Sequence, residues 1–138
     1  MIKQAEELAK KVSATDVPVL LTGETGTGKE VFAQAIHNSS SRHSNSIMAI
    51  NCSAFSSDLL ESELFGYRAG SFTGASKDKK GLLEVANHGT LFLDEIGEMA
   101  YPLQAKLLRF LESGEYIKIG DTVPSKVDVR IISATNRD

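Results

Sequence analysis

The sequence predicts an α/β fold built around a parallel β-sheet. The chain has 138 residues, of which 41% are hydrophobic, and this is the size and composition of one globular domain. Short apolar segments alternate with segments of helical periodicity. The run Thr90–Leu93 is so uniformly apolar that both of its faces must be covered, which is typical of a strand in a parallel sheet.

Composition and charge exclude several classes of protein. Fifteen Lys and Arg residues stand against 18 Asp and Glu residues, for a net charge of −3, so no overall positive charge favours nucleic acid or anionic lipid. The single cysteine, Cys52, permits no internal disulfide and is predicted to be a small buried thiol. Apolar runs such as Val17–Leu21 are far shorter than the ~18 residues of a membrane span. Because the first residues also lack the pattern of a secretory signal, we expect a cytoplasmic protein with no membrane partner.

The first part of the chain is predicted to alternate helix and strand. Residues 2–13 have apolar side chains at helical spacing, and Val17–Thr22 is a short apolar strand. A glycine-rich turn follows, after which Lys29–Asn38 returns to helical spacing. The polar connection 39–46 then leads to a second strand, Ile47–Ile50.

A further helix and a loop of unusual content are predicted next. The helix begins at Asp58, because Glu61 three residues later completes an acidic variant of the capping box, and it reaches about Phe65. Residues Gly66–Ser76 follow neither the helical nor the strand period, so they are predicted to form a loop. Phe72 lies between glycines in this loop, where it either contacts a partner or packs against its own helix.

The last part of the chain is predicted to contain two helices and three strands. Gly81–Ala86 is a short helix, and a turn separates it from the strand Thr90–Leu93. The clearest helix is Pro102–Ser113, which starts with a proline suited to a first turn and stops before a glycine. Tyr116–Ile119 and Val127–Ser133 are predicted strands on either side of a turn region.

The clearest functional signal is a glycine-rich loop between the first strand and the next helix. Gly23-Glu-Thr-Gly-Thr-Gly-Lys29 matches the phosphate-binding pattern G-x-x-x-x-G-K in the expected strand–helix context. Backbone N–H groups of such a loop point at phosphate oxygens, and its lysine neutralises the β- and γ-phosphates. The alternative is a glycine-rich turn followed by a surface lysine. The predicted nucleotide-binding residues are Gly23, Glu24, Thr25, Gly26, Thr27, Gly28, Lys29 and Glu30.

Two adjacent carboxylates form the second signal. Asp94 and Glu95 follow the apolar strand at its carboxyl end, where open α/β sheets bind ligands. Glu30 stands where the general pattern has the Ser or Thr that contacts Mg²⁺, so the metal must be held otherwise, and we assign it to Asp94 and Glu30. Glu95 is suited to polarise the attacking water of a hydrolysis. The alternative is that both acids cap the next helix.

These residues resemble one family, the sigma-54-dependent transcription activators, which belong to the AAA+ ATPases. Leu21–Glu30 is similar to their nucleotide loop, including its glutamate, and Gly89–Glu95 resembles their Walker B strand. The segment Gly70-Ser-Phe-Thr-Gly-Ala75 resembles their GAFTGA element with serine in the second position, and Glu63-Leu-Phe-Gly66 precedes it as in the family. The resemblance extends from about Thr15 to Asp138.

The resemblance implies a P-loop NTPase (AAA+) fold of three α/β/α layers, with the first-sensor strand between the glycine-loop strand and the Walker B strand. It implies ATP and Mg²⁺ as cofactors, a homo-oligomeric ring, and ATP hydrolysis that remodels the sigma-54 RNA polymerase holoenzyme. It assigns Asn51 as the switch that senses Glu95, and Thr135 with Asn136 as the first sensor. It also assigns contact with sigma-54 to a loop that contains Gly70, Ser71, Phe72, Thr73, Gly74 and Ala75.

The resemblance also implies segments that this chain lacks. In the family a further strand, inter-subunit arginines and a helical lid follow the first sensor, and Arg137 does not match those arginines. We therefore expect residues 1–138 to be the amino-terminal part of the AAA+ domain, without a receiver or helix-turn-helix domain, without sequence-specific DNA binding, and nearly inactive alone. Two alternatives remain open, a non-catalytic module gated by nucleotide and another P-loop NTPase or phosphotransferase.

Overall fold

The computed structural model describes residues 15–23 and 28–136. The helix predicted over residues 2–13, residues 24–27 of the glycine loop, and Arg137 lie outside the described residues. The described strands are β1 (Val19–Thr22), β2 (Ile47–Asn51), β3 (Gly66–Tyr67), β4 (Lys79–Lys80), β5 (Thr90–Asp94), β6 (Glu115–Tyr116), β7 (Ser125–Lys126) and β8 (Arg130–Thr135). The described α-helices are α1 (Lys29–Asn38), α2 (Ser57–Phe65), α3 (Leu82–Val85) and α4 (Tyr101–Ser113), and short 3₁₀ turns occupy Cys52–Ala54 and Ile96–Glu98.

Four strands form a parallel sheet in the order β1-β8-β5-β2. The central strand β8 pairs with β1 on one side, where Val19 is opposite Ile132, and with β5 on the other, where Phe92 is opposite Ile132. This arrangement confirms the α/β fold with a parallel sheet. It also confirms that the strand leading to Thr135 lies between the glycine-loop strand and the strand leading to Asp94.

Both faces of the sheet are covered, as the apolar run in β5 predicts. Because side chains alternate along a strand, Leu91 and Leu93 face the side covered by α2 and α4, whereas Phe92 faces α1. All three side chains are buried. The core on the α1 side is completed by Ala33, Ile36, Ile132 and Ala134.

The amino-terminal end of α2 differs from the predicted one. The helix begins at Ser57, and the Oγ of Ser56 accepts a hydrogen bond from the backbone N–H of Leu59 at 3.4 Å. The predicted capping box of Asp58 and Glu61 is therefore wrong. Glu61 forms an ion pair with Lys106 of α4, so its carboxylate serves the packing of two helices.

Several predicted strand boundaries are wrong, and for β3 and β6 the reason is that a two-residue strand carries no detectable period. Gly66–Tyr67 was predicted as loop but forms β3, which pairs antiparallel with β4. The strand predicted over Tyr116–Ile119 is shorter and begins earlier, at Glu115, and it pairs with β7. The strand predicted over Val127–Ser133 begins only at Arg130 and continues to Thr135.

None of the helices in the described ranges is long and apolar enough to cross a bilayer.

Arg42 joins three segments at the amino-terminal end of the sheet. Its guanidinium is buried, with only 8% of the residue exposed, and donates to the Oδ1 atoms of Asp16 at 3.2 Å and Asp128 at 2.7 Å. It also donates to the backbone oxygens of Gly89 at 3.3 Å and Asp128 at 3.0 Å. The segment before β1 is thereby fixed to the turns that precede β5 and β8.

We expect Arg42→Ala to lower the free energy of unfolding by about 2–4 kcal/mol, since it removes the charge-assisted hydrogen bonds that a buried guanidinium makes to three segments. The loss is less than for a fully buried ion pair because both aspartates are largely exposed. Urea unfolding measures it. The matched control is Arg109→Ala, an exposed arginine whose loss should cost less than about 0.5 kcal/mol. Equal losses in the two variants would contradict this role of Arg42.

Candidate functional site

The carboxyl ends of the four parallel strands bring together most of the residues that the sequence singles out. Asn51 at the end of β2 is directly opposite Asp94 at the end of β5. Thr135 at the end of β8 is opposite Thr22, and the next residue, Gly23, donates its backbone N–H to the Thr135 oxygen at 3.2 Å. One edge of the sheet therefore presents the glycine loop, the two acids and both predicted sensor groups.

The described ends of the glycine loop lie beside an open cavity. Gly28 has a left-handed backbone (φ 85°) and precedes the first turn of α1, which brings the positive end of that helix to the cavity. The Nζ of Lys29 donates to the backbone oxygen of Gly23 at 2.7 Å and so connects the two ends of the loop. The cavity has a volume of about 470 Å³ and is lined by Leu20, Leu21, Thr22, Gly23, Gly28, Lys29 and Phe32.

Glu95 has an unusual backbone conformation. Its φ of 55° and ψ of 48° lie in the left-handed region, and its N–H donates to the Oδ1 of Asp94 at 2.9 Å. For a residue with a side chain this conformation costs about 1 kcal/mol. Although Glu95 directly precedes the 3₁₀ turn Ile96–Glu98, its side chain makes no capping hydrogen bond to that turn. The geometry thus does not support the helix-cap interpretation for Glu95.

Asn51 is held in place by the turn that follows it. Its Oδ1 accepts hydrogen bonds from the backbone N–H of Ser53 at 2.9 Å and from the Ser53 hydroxyl at 2.7 Å. The carboxamide oxygen thus accepts two hydrogen bonds within the turn, and the NH₂ group of the side chain is its hydrogen-bond donor. The Asn51 side chain is therefore held in one orientation, on a residue that pairs with Asp94.

Cys52 is a buried thiol whose pKa is affected by the two neighbouring acids. The thiol is buried, with 2% of the residue exposed, as the sequence predicts. Burial, and then the charges of Asp94 and Glu95, raise its pKa to about 12. The thiol therefore stays protonated at neutral pH, and it lies close enough to the acids to sense their charge.

The residues at the edge fit a magnesium ion only in part. Within the described residues, no group of three or more His, Cys, Asp or Glu side chains could hold a metal ion. Glu30 lies in the first turn of α1 with an exposed side chain. Mg²⁺ usually binds one or two carboxylates together with phosphate oxygens and water, so the carboxylate of Asp94 suits a metal that arrives with a nucleotide.

The GAFTGA-like segment lies away from the main sheet, in the β3–β4 hairpin. The N–H of Gly70 donates to the oxygen of Ala75 at 2.7 Å, and the N–H of Ala75 donates to the oxygen of Phe72 at 3.1 Å. The Phe72 ring packs on Tyr67 of β3, with ring centroids 4.8 Å apart. The interpretation that Phe72 packs on its own helix is therefore wrong, because the aromatic partner lies at the base of the same hairpin.

Residues 119–121 pack against this loop, a contact that no sequence pattern indicates. The backbone at Gly120 (φ 80°) approaches Ser71 so closely that a Cβ at position 120 would lie 2.4 Å from the Ser71 Cβ. Arg68 forms ion pairs with Asp121 at 2.9 Å and Asp78 at 3.2 Å. The hydrogen bond from Arg68 lowers the pKa of Asp121, and the Ala69 N–H, followed by Arg68, lowers that of Asp78.

Comparison with known sequences relates the whole chain to one family. Residues 1–138 match the model of the sigma-54 interaction domain. The Nif-specific regulatory protein of Rhizobium leguminosarum bv. trifolii is 53% identical over 137 residues, which are 99% of this chain and 39% of that protein. The transcriptional regulatory protein GlrR of Escherichia coli K12 is 54% identical over 132 residues, 96% of this chain and 30% of that protein.

Solved structures agree with this relationship. The structure of NtrX from Brucella abortus has a TM-score of 0.89 and 36% sequence identity. The match covers 99% of this chain and 30% of the NtrX chain. NtrX was also solved in complexes with ADP and with ATP. The P-loop NTPase domain of a sigma-54 transport activator from E. coli has a TM-score of 0.61 at 15% identity, covers 99% of this chain and 81% of its own, and supports the fold alone. From the family match and these relatives, the chain belongs to the sigma-54 interaction domains, the AAA+ P-loop NTPase domains of sigma-54-dependent activators.

Proposed function

We propose that the chain binds ATP with Mg²⁺ and that, within the intact protein, it hydrolyses ATP to remodel the sigma-54 RNA polymerase holoenzyme. The observation that carries the proposal is the alignment of Asn51, Asp94 and Thr135 at one sheet edge, next to Gly23 and Lys29. NtrX, a related protein, was solved in complexes with ADP and with ATP, and this supports nucleotide binding by the chain.

The phosphates are bound by the glycine loop and the beginning of α1. Lys29 exchanges its hydrogen bond with the Gly23 oxygen for the β- and γ-phosphates, whose negative charge its ammonium neutralises. The assigned nucleotide ligands in residues 24–27 lie outside the described residues. Mg²⁺, when bound with the nucleotide, supplies charge neutralisation to the phosphates, and Asp94 together with Glu30 would hold it.

Glu95 is the group that polarises the attacking water. Glu95 directly follows Asp94, the residue assigned to the metal. Its left-handed backbone turns the chain away from the direction of β5. Asn51 senses Glu95 through its amide nitrogen, and Thr135 with Asn136 forms the sensor next to the glycine loop. A non-catalytic binding module would need neither a water-polarising carboxylate nor the backbone strain at Glu95.

The loop 70–75 is the surface that contacts sigma-54, and a homo-oligomeric ring is the form in which the intact protein works. Phe72 and Thr73 are exposed at the tip of the hairpin. The loop supplies no group to the described edge of the main sheet, so contact with a partner does not compete with nucleotide. The chain covers 39% and 30% of the two relatives named above, and the experiments below therefore use the full-length protein.

We expect Lys29→Ala to weaken ATP binding on the order of 100-fold, because a charge-assisted hydrogen bond to phosphate is lost. Titration calorimetry measures the affinity. Lys77→Ala, which removes an exposed lysine next to the partner loop, is the matched control and should bind ATP like the wild type. Unchanged affinity in Lys29→Ala would overturn the assignment of the glycine loop.

Glu95→Gln should retain ATP while turnover falls by ~10²-fold or more, the usual effect of losing a positioned base. Glu95→Gly should be equally inactive. Since glycine adopts the left-handed conformation without strain, the free energy of unfolding of the Glu95→Gly variant should equal that of the wild type or exceed it by up to about 1 kcal/mol. Steady-state ATPase and urea unfolding give the two readouts. Surviving turnover in either variant would reduce Glu95 to a structural residue.

Phe72→Ala or Thr73→Ala should leave ATP hydrolysis largely intact but uncouple it from transcription by the sigma-54 holoenzyme. Val85→Ala removes an exposed apolar side chain outside the loop and should affect neither activity. ATPase and transcription are measured in parallel. A loop variant that loses hydrolysis yet still binds sigma-54 would reverse the assigned roles of the two regions.

A further inference from the structure

We propose that the ring of Tyr67 holds Phe72 against the body of the domain and thereby limits the affinity of the loop 70–75 for sigma-54. The proposal rests on the proposed function of this loop and specifies how it is regulated. It concerns Tyr67 as a positioning residue, outside the segment assigned to partner contact.

The contact between the two rings has a favourable geometry. Their centroids are 4.8 Å apart and their planes meet at 69°, an edge-to-face arrangement that aromatic pairs prefer. Phe72 is 47% exposed, so about half of its surface is covered in this conformation. A partner that binds the whole side chain must therefore displace the Tyr67 ring.

Tyr67 belongs to a rigid part of the hairpin. It pairs with Lys79 in the β3–β4 ladder and forms a bridge with Ile119. The next residue, Arg68, donates its backbone N–H to the Ile119 oxygen at 3.0 Å and pairs through its guanidinium with Asp78 and Asp121. These contacts on both sides fix the backbone from which the Tyr67 ring projects.

The loop that carries Phe72 is packed at Ser71, against Gly120, and at the buried Ala75, but residues 72–74 at its tip are exposed. Its tip is closed by local backbone hydrogen bonds within residues 68–76. Gly70 and Gly74 have positive φ angles, and a Cβ placed on either would meet no atom within 4 Å, so open space surrounds both glycines. Because glycine adopts many backbone conformations, these two positions allow the tip to change conformation while Tyr67 stays in place.

The consequence is a competition between an internal and an external partner for Phe72. When the binding-competent conformation is only a fraction of the population, the apparent affinity for a partner falls by that fraction. An aromatic pair of this geometry corresponds to a factor of about 2–10 in such an equilibrium. The Tyr67 ring therefore lowers the affinity for sigma-54 by a factor of this size, and any change that separates the rings restores it.

The test compares Tyr67→Leu with Tyr67→Phe in the full-length protein. Tyr67→Leu removes the aromatic contact, and its affinity for sigma-54 with ADP bound should rise about 3–10-fold. Tyr67→Phe keeps the ring and should bind like the wild type. The ATPase rate of both variants reports that they are folded. Equal or weaker sigma-54 binding by Tyr67→Leu would overturn the proposal.

A second measurement requires no partner. A nitroxide attached at Thr73→Cys reports the mobility of the loop tip by electron paramagnetic resonance, while the buried thiol of Cys52 stays unlabelled. Mobility should increase in Tyr67→Leu but not in Tyr67→Phe, and no increase would overturn the proposal. If mobility increases but even the wild type fails to bind sigma-54, the restraint on Phe72 stands and the proposed function fails.

Discussion

The parallel pairing of β8 with β1 and β5 is the constraint on which the rest of the structure depends. Both neighbours pair with the same residue, Ile132, so one register fixes where all of these strands end. Side chains along β5 and β8 are buried on both faces, and a shift by one residue would turn each of them to the opposite face. This register places Thr22 opposite Thr135, and the pairing of β2 with β5 places Asn51 opposite Asp94.

The same edge concentrates negative charge where β5 leaves the core. Burial raises the pKa of the neighbouring Cys52 thiol, and the charges of Asp94 and Glu95 raise it further. Two carboxylates in such a place are costly unless a cation neutralises them. In the proposed function, Mg²⁺ and the ammonium group of Lys29 would supply positive charge close to these carboxylates.

The parts of the fold and site that the sequence predicts are those encoded locally. Glycine spacing and the apolar run before Asp94 specify the glycine loop and the acidic pair within a few residues, whereas the strand order came from the family resemblance. Contacts between distant segments were not predictable. Arg68 and Asp121 are 53 residues apart, and no period or motif in either segment indicates their pairing. The cap at Ser56 was missed for another reason, because Asp58 offered an equally plausible helix start.

The two functional regions are connected by one helix. The chain passes from Asn51 at the end of β2 through a 3₁₀ turn into α2, which ends at Phe65, and Tyr67 follows in β3. At 1.5 Å per residue, the nine residues of α2 span roughly 14 Å. The helix is packed into the core through Leu60 and Leu64. A single packed helix is therefore the short covalent connection between Asn51 at the end of β2 and Tyr67, whose ring contacts Phe72.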